Sequence, residues 1–391
     1  MRPLRLLAAV AASPRLLGAR QPDPAAPVRV PTDSLSGAGG TAPAPDRPGT
    51  RVRLRAWAEL LRVSALFTVP GDALAGAAAA GRRPGRGTAL AAGASLCLYE
   101  AGMALNDWAD REEDAVDRPH RPIPSGRVTP GAALAAAGTL TVAGLALAAR
   151  AGRPALAVAS GLAATVWAYD LHLKHTKLGP AAMASARALD LLLGAAATSP
   201  TAAPATASAV RAVTTPATAV RAATTPATAG TVTAPASAAR RVRARTPAAA
   251  LPAALALGAH TYAVTAVSRH EAQGGSTTAP LAALAGVTAL AGAVLRGRPT
   301  PGESRRPPAT TEGLLLAAFT GAYLRTSAVP LFHAALNPSP PLTQRAVGGG
   351  IRAMIPLQAA LASRAGAPLN GLAVMGLVPL ARALARKVSP T

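Results

Sequence analysis

The sequence predicts an all-α integral membrane protein, a bundle of about nine transmembrane helices. Half of the 391 residues are apolar and only 15% are charged, and the mean hydropathy is +0.28. This composition is too apolar for an ordinary soluble domain. From about residue 55 onwards, apolar segments alternate with short charged ones, and several approach the roughly 20 residues that a helix needs to cross a bilayer.

The N-terminal part of the chain differs from this pattern. Residues 1–52 are rich in Arg, Pro, Gly and Ala, and they begin with basic residues and a short apolar run. A signal or transit peptide has such a start, but Pro14 and Arg15 interrupt the apolar run. We therefore interpret 1–52 as a disordered basic extension and expect the membrane domain to occupy 53–385.

Nine segments have the length and composition of membrane spans. The stretch between Arg127 and Arg150 is the clearest because it holds no charge, whereas Glu100 and Arg325 interrupt two others. The last segment is either one span or a span with a terminal extension. The predicted spans are 57–80, 87–106, 129–149, 154–170, 179–199, 248–268, 277–295, 311–332 and 352–381.

A low-complexity insertion separates the fifth and sixth of these spans. Residues 199–247 contain the near-repeat RAVTTPATAV and RAATTPATAG, and they are poor in Leu, Ile and Phe. Such a segment cannot bury enough apolar surface to offset the entropy lost on ordering. We predict a loop inserted between two helices.

The net charge of +23 would favour nucleic-acid binding in a soluble protein. Here the arginines lie in short runs between apolar segments, without a platform of basic and aromatic residues. We therefore expect no nucleic-acid partner and assign these charges to the headgroups of the lipid bilayer. The one cysteine, Cys97, can form no internal disulfide and is interpreted as a small core residue.

With nine spans, four loops fall on the same side of the membrane: 107–128, 171–178, 269–276 and 333–351. These loops carry chemically varied polar residues, whereas the loops of the other side are mainly Arg, Gly and Pro. Both sides are basic, so the positive-inside rule does not orient the bundle.

The first of these loops contains nearly all of an acidic stretch, NDWADREEDAVDRPHRPIPSGR, which spans residues 106–127. Asn106, Asp110 and Asp114 recur every four residues and share one helical face, on which like charges repel. Asp107 lies beside them. Mg²⁺ prefers oxygen ligands and would remove the repulsion, and the following arginines pair well with phosphate oxygens. They are Arg118, Arg121 and Arg127. The stretch thus predicts a metal-bridged diphosphate site, and the alternative is a solvated loop between two helices.

Charged residues inside predicted spans are costly and often functional. Arg187 and Asp190 lie one turn apart, so we predict either a pair within one helix or a contribution to the cavity wall. Asp72 is interpreted as a turn residue.

The motif N-D-x-x-D-x-x-x-D, formed by Asn106, Asp107, Asp110 and Asp114, resembles the signature of the UbiA-type membrane prenyltransferases. The continuation RPHRPIPSGR is similar to that family as well, and so are LLRVSALFTVPGDALAG near the first helix and WAYDLHLKHTKLGPAAMASARALDLLLG near the fourth and fifth. The resemblance extends over about 55–380 apart from the insertion. Its details are those of a divergent, actinobacterial-type branch of the superfamily.

This resemblance implies a bundle of nine transmembrane helices around a central cavity. It also implies two aspartate-rich motifs that bind Mg²⁺ and a prenyl diphosphate at the cytoplasmic mouth of that cavity. The four loops would then be the cytoplasmic ones of a multi-pass cell-membrane protein. Asp107, Asp110 and Asp114 take the catalytic and metal-binding roles. The predicted diphosphate-binding residues are Asn106, Arg62, Arg118, Arg121, Lys174, Arg269 and His270.

The second motif departs from the family pattern. In place of D-x-x-x-D after the sixth helix, the chain has Arg269, His270 and Glu271, and only Glu271 is acidic. Two alternatives stay open. Either Glu271 helps to bind a single metal ion, or Arg269 and His270 contact the phosphate directly in place of a metal.

The function predicted from the sequence is Mg²⁺-dependent transfer of a prenyl group from an isoprenoid diphosphate to an acceptor within the membrane. The acceptor would be an aromatic ring or a hydroxyl compound. The weakened second motif leaves an alternative: a non-catalytic membrane component or a small-molecule transporter derived from the same fold.

Overall fold

The computed structural model describes residues 50–62, 66, 68–197, 246–271, 274–296 and 310–388. Within these ranges the protein is all-α, and no β-strand occurs in them. Most of the predicted N-terminal extension and residues 199–245 of the predicted insertion lie outside the described part of the chain.

Twelve α-helices occur in the described residues, numbered here in chain order. They are α1 (Thr50–Leu60), α2 (Val69–Ala79), α3 (Arg86–Ala109), α4 (Arg111–Asp117), α5 (Pro130–Ala151), α6 (Arg153–Ala168), α7 (Gly179–Ala197), α8 (Leu251–Ser268), α9 (Thr278–Arg296), α10 (Thr311–Leu336), α11 (Pro340–Arg364) and α12 (Pro368–Val388). A π-helical turn, Tyr169–Leu173, follows α6, and a 3₁₀ turn, Pro247–Ala250, precedes α8.

Six segments of the described chain are long and apolar enough to cross a membrane. They are Arg86–Ala109, Pro130–Ala151, Arg153–Leu173, Pro247–Ser268, Thr278–Arg296 and Thr311–Leu336. Each corresponds to a predicted span. The all-α membrane class is therefore confirmed, while the count of nine spans remains a prediction.

Two predicted spans are not single helices. The first, 57–80, is divided between α1 and α2, and Arg62 between them has a left-handed backbone with φ of 48°, which is uncommon outside glycine. The last, 352–381, is divided between α11 and α12, and α11 begins already at Pro340. Gly366, with φ of 88°, terminates α11, because glycine adopts this conformation without a steric penalty.

The four loops that parity placed on one side of the membrane do meet at one end of the bundle. Lys174 of the second loop contacts Asp110 of the first, and Arg269 of the third donates to the carbonyl of Thr176 in the second. The third and fourth loops meet where the Gly275 N–H donates to the Pro338 carbonyl at 2.7 Å. This end of the bundle is called the mouth below.

Small residues allow α2 and α7 to pack with their backbones in contact. A Cβ atom at Gly194 would lie 2.6 Å from the Cα of Ala73, and one at Gly76 would lie 2.1 Å from the carbonyl oxygen of Leu191. Close approach of this kind is typical of membrane helices, whose association relies on packing rather than on exclusion of water. The abundance of alanine and glycine in the sequence therefore has a structural use at this crossing.

We expect Gly194→Ala to destabilise the protein by about 1–3 kcal/mol, because the added methyl group forces α2 and α7 apart. Thermal unfolding in detergent micelles measures the loss. Gly138→Ala in α5 is the matched control, because a Cβ at Gly138 meets no atom within 4 Å and alanine favours the helix. Equal stability of the two variants would contradict the close crossing.

Candidate functional site

The acidic stretch keeps its predicted helical face across the junction of two helices. α3 ends at Ala109 and α4 begins at Arg111, yet the hydrogen bonds from each residue to the fourth one before it continue. The N–H of Asp110 donates to the Asn106 carbonyl at 2.9 Å, and the N–H of Asp114 donates to the Asp110 carbonyl at 2.8 Å. Asn106, Asp110 and Asp114 therefore stay stacked along one face.

One arginine links two buried carboxylates of this stretch. Arg121 Nη1 lies 3.2 Å from Asp107 Oδ1 and 2.7 Å from Asp114 Oδ2, and both aspartates are at most 4% exposed. Arg62 adds a second cation to Asp107 at 3.2 Å and donates to Asn106 Oδ1 at 3.4 Å. Buried charges need such partners because removing them from water is costly.

The third aspartate, Asp110, is paired from a different part of the chain. Lys174 Nζ contacts Asp110 Oδ1, and the ring of His175 lies 3.9 Å from the same oxygen. Lys174 follows the π-helical turn directly, and its N–H donates to the Tyr169 carbonyl at 2.9 Å. Each aspartate of the predicted motif therefore has a cation beside it.

The three residues predicted from the second motif differ in their interactions at the mouth. Burial raises the pKa of the half-buried Glu271, and Arg118 opposes this rise. Arg118 also lies 3.5 Å from Asp114, so the same guanidinium acts electrostatically on Glu271 and on the first motif. Arg269 is held by the carbonyl of Thr176. The ring of His270 makes no hydrogen bond or ion pair with the described residues.

Arg127, predicted as a further phosphate ligand, is directed elsewhere. Its guanidinium forms two hydrogen bonds with the Glu59 carboxylate, at 2.6 and 3.1 Å, and these bonds raise the pKa of Arg127. A carboxylate of α1 therefore pairs with the Arg127 guanidinium, and a phosphate contact of Arg127 stays a prediction.

A cavity of about 230 Å³ extends from the mouth into the bundle. Arg62, Asn106 and Asp170 line its mouth end, where Asn106 Nδ2 donates to Asp170 Oδ1 at 3.1 Å. The middle of the cavity is apolar. Its lining there includes Leu98, Gly102, Met103, Leu162, Val166 and Met183.

The far end of the cavity is charged. Arg187 Nη1 lies 2.6 Å from Asp72 Oδ2 and 3.7 Å from Asp190 Oδ2. Arg187 and Asp190 both line the cavity, so they form a pair within one helix and part of the wall at once. The interpretation of Asp72 as a turn residue is wrong, because it is fully buried within α2 and is the closer partner of Arg187.

The carboxylates at the mouth fit a divalent cation. One ligand atom each of Asp110, Glu113 and His175 lies within 4.8 Å of the others, and Arg121 already takes the position of a positive charge between Asp107 and Asp114. Carboxylate oxygens suit Mg²⁺, whereas an imidazole nitrogen suits transition metals better. Sequence reasoning missed Glu113, His175 and Asp170 as site residues. The only signals for them were the acidic stretch itself and the dipeptide YD at the end of a span.

Comparison with known proteins adds a family match. The model described as the UbiA prenyltransferase family matches residues 65–309. A digeranylgeranylglyceryl phosphate synthase of Methanopyrus kandleri is 39% identical over 131 residues, which are 32% of this chain and 46% of that protein. The enzyme of the same name from Ignicoccus hospitalis is 36% identical over 148 residues, 38% of this chain and 48% of that protein. The chain thus spans about half the length of the curated relatives it matches.

A similar solved structure is that of a UbiA homolog from Archaeoglobus fulgidus bound to GPP and Mg²⁺. The TM-score is 0.50 with 15% sequence identity, and the match covers 82% of this chain and 99% of that one. The likeness concerns the fold, which is the helical membrane bundle predicted from the sequence.

We expect Arg121→Met to destabilise the protein by about 3 kcal/mol, because two buried carboxylates lose a shared cation. Arg127→Met removes the same charge from the same loop but affects a pair that is 31% and 41% exposed, so it should cost about 1 kcal/mol or less. Thermal unfolding in detergent compares the two variants.

Added Mg²⁺ should raise the unfolding temperature of Arg121→Met more than that of the wild type, since a cation can then occupy the position between Asp107 and Asp114. An equal Mg²⁺ response of both proteins would contradict the proposed fit.

Proposed function

Because the chain belongs to the UbiA prenyltransferase family, as its motif predicted, we propose that it transfers a prenyl group from an isoprenoid diphosphate to an acceptor within the membrane. The observation that carries the proposal is the cluster of carboxylates and cations at the mouth of an apolar cavity in a multi-pass helical membrane protein. The GPP and Mg²⁺ bound by the Archaeoglobus fulgidus homolog support the same donor class and cofactor.

The cations at the mouth bind the diphosphate. Arg62, Arg121 and Lys174 each contact an aspartate, and each retains N–H donors that fit phosphate oxygens. As the bond between the prenyl carbon and the diphosphate oxygen breaks, negative charge grows on the leaving pyrophosphate. Positive groups already placed at that point stabilise it without reorganisation. Asn106, which donates to Asp170, lies at the edge of this site and serves as a further diphosphate-binding residue.

The carboxylates serve the metal. Asp107, Asp110 and Asp114 would hold Mg²⁺, whose charge when bound neutralises the diphosphate. Glu271 adds a carboxylate from another loop of the mouth, and Arg118 acts electrostatically on Glu271 and lies beside Asp114. We propose that Glu271 helps to bind a single Mg²⁺ ion.

Two neighbouring residues of the second motif complete the rim. Arg269 donates to a carbonyl of the loop that carries Lys174, and this contact supports a role for its remaining N–H donors in binding the diphosphate. His270 serves as an additional donor to the diphosphate.

The apolar middle of the cavity receives the prenyl chain and keeps water from the reacting carbon, so that the acceptor rather than water captures the allylic cation. The name of the curated relatives contains a glyceryl phosphate. Of the two acceptor types predicted from the sequence, this name favours a hydroxyl compound, and the lipid bilayer supplies it.

The mouth faces the cytoplasm in this proposal. In a Cys97→Ala background, we expect a membrane-impermeant maleimide to label Arg83→Cys, at the opposite end of the bundle, in intact cells. Glu112→Cys, which replaces an exposed residue of the mouth, should react only after permeabilisation. The reverse pattern would show that the mouth is external.

We expect Asp110→Asn and Asp114→Asn each to lower prenyl transfer by at least about 100-fold, because each removes a carboxylate that would hold the Mg²⁺ ion neutralising the leaving diphosphate. The assay uses purified protein, radiolabelled geranyl diphosphate, Mg²⁺ and a lipid extract, and it follows pyrophosphate release. Chelation of Mg²⁺ should abolish the release in the wild type.

Asp117→Asn is the matched control for this assay, because Asp117 is an exposed residue of the same stretch. Normal release by both Asp110→Asn and Asp114→Asn would contradict the site. Absence of release from the wild type with donors of every length would favour a non-catalytic membrane component or a transporter.

A further inference from the structure

The end of the cavity farthest from the mouth is polar, although a prenyl chain is a hydrocarbon. Ser95, Arg187 and Asp190 line this end and are called the polar floor. Ser95 donates to Asp190 Oδ1, so the floor joins α3 to α7. Between the mouth and the floor the cavity wall is mainly apolar.

The depth of the cavity follows from the two helices that carry its wall. On α3 the floor residue Ser95 precedes the mouth residue Asn106 by eleven positions, which corresponds to about 16 Å at the α-helical rise. On α7 the same number of positions separates Gly179, beside the mouth loop, from Asp190. Two helices that run in opposite directions therefore give the same depth.

The Asp190 carboxylate lies farther from Arg187 than the carboxylate of Asp72 does, although Ser95 donates to one of its oxygens. Asp72 receives Arg187 and Gln358 at 2.6 and 2.7 Å and is fully buried. Asp190 Oδ2 lies 3.7 Å from Arg187, and the residue remains 7% exposed. Contact with hydrocarbon would remove water from this carboxylate without supplying a hydrogen bond, which is costly for a polar group.

We propose that the polar floor limits the length of the donor's prenyl chain to about three isoprene units. This inference rests on the proposed function. One isoprene unit adds four carbon–carbon bonds of about 1.5 Å, or about 5 Å of extended chain. A geranyl chain of two units ends above the floor, a farnesyl chain of three units reaches it, and a geranylgeranyl chain of four units would press hydrocarbon against the Asp190 carboxylate. The cavity thus fits a shorter donor than the geranylgeranyl group in the name of the curated relatives.

The test compares kcat/KM for geranyl and geranylgeranyl diphosphate. The wild type should favour geranyl diphosphate by at least about tenfold, and Asp190→Asn should reduce that preference by about tenfold, because a neutral amide is less costly to dehydrate. Asp72→Asn is the matched control. It removes one charge from the same network but does not line the cavity, so the preference should stay.

A second variant changes the depth instead of the charge. Ala186 lines the cavity one turn above Asp190, so Ala186→Leu raises the bottom of the cavity. It should lower farnesyl transfer by at least about tenfold relative to geranyl transfer.

Binding of donor analogues that cannot react tests the length limit independently of the proposed reaction. The ligands are non-hydrolysable thiolo analogues of geranyl, farnesyl and geranylgeranyl diphosphate. The geranyl analogue should raise the unfolding temperature of the wild type more than the geranylgeranyl analogue does, and Asp190→Asn should reduce this difference in unfolding temperature. Equal stabilisation by all three analogues, or equal kcat/KM for all donors, would overturn the length limit. Absence of turnover together with this binding order would contradict the proposed reaction but support the limit.

Discussion

Arg121 shows the constraint on which the mouth depends, because it lies within 3.2 Å of two aspartates that are themselves almost fully buried. A carboxylate withdrawn from water needs a cation, and neighbours along its own helix do not supply enough of them. The cations come from elsewhere: Arg62 from the break between α1 and α2, and Lys174 from the π-helical turn. Pairing of charges therefore fixes how these segments meet, and the same requirement joins Asp72 of α2 to Arg187 of α7.

Hydropathy predicted the ends of a membrane helix well where the segment has no charged residue and no break in its backbone. The span predicted at 129–149 is observed as Pro130–Ala151, because a run without charges has clear ends. The breaks at Arg62 and Gly366 were not predicted. They are properties of backbone conformation, with φ of 48° and 88°, and a hydropathy window measures only the transfer of side chains. For this reason a hydropathy window does not show that the predicted spans 57–80 and 352–381 are each divided between two helices.

The sequence predicted the part of the candidate site whose residues lie close together in the chain. Asn106, Asp110 and Asp114 are found on one face because their four-residue spacing follows the helix, even through a junction. The sequence predicts that Arg187 pairs with Asp190 of its own helix or contributes to the cavity wall, whereas the nearer carboxylate, Asp72, lies more than a hundred residues away. His175 likewise approaches Asp110 from a distant part of the chain, the loop that follows α6. Spacing carries no information on such contacts, because they arise only when helices pack.

The π-helical turn Tyr169–Leu173 has an evolutionary consequence. It accommodates one residue more than an ordinary α-helical turn, and each residue of a helix advances the direction of the following side chains by about 100°. Loss of one residue from this turn would leave the apolar body of α6 in place while rotating Lys174 away from Asp110. A single insertion or deletion, rather than a substitution, can therefore exchange the cation that faces this aspartate. The turn gives related chains a way to alter the mouth without disturbing the packing of the bundle.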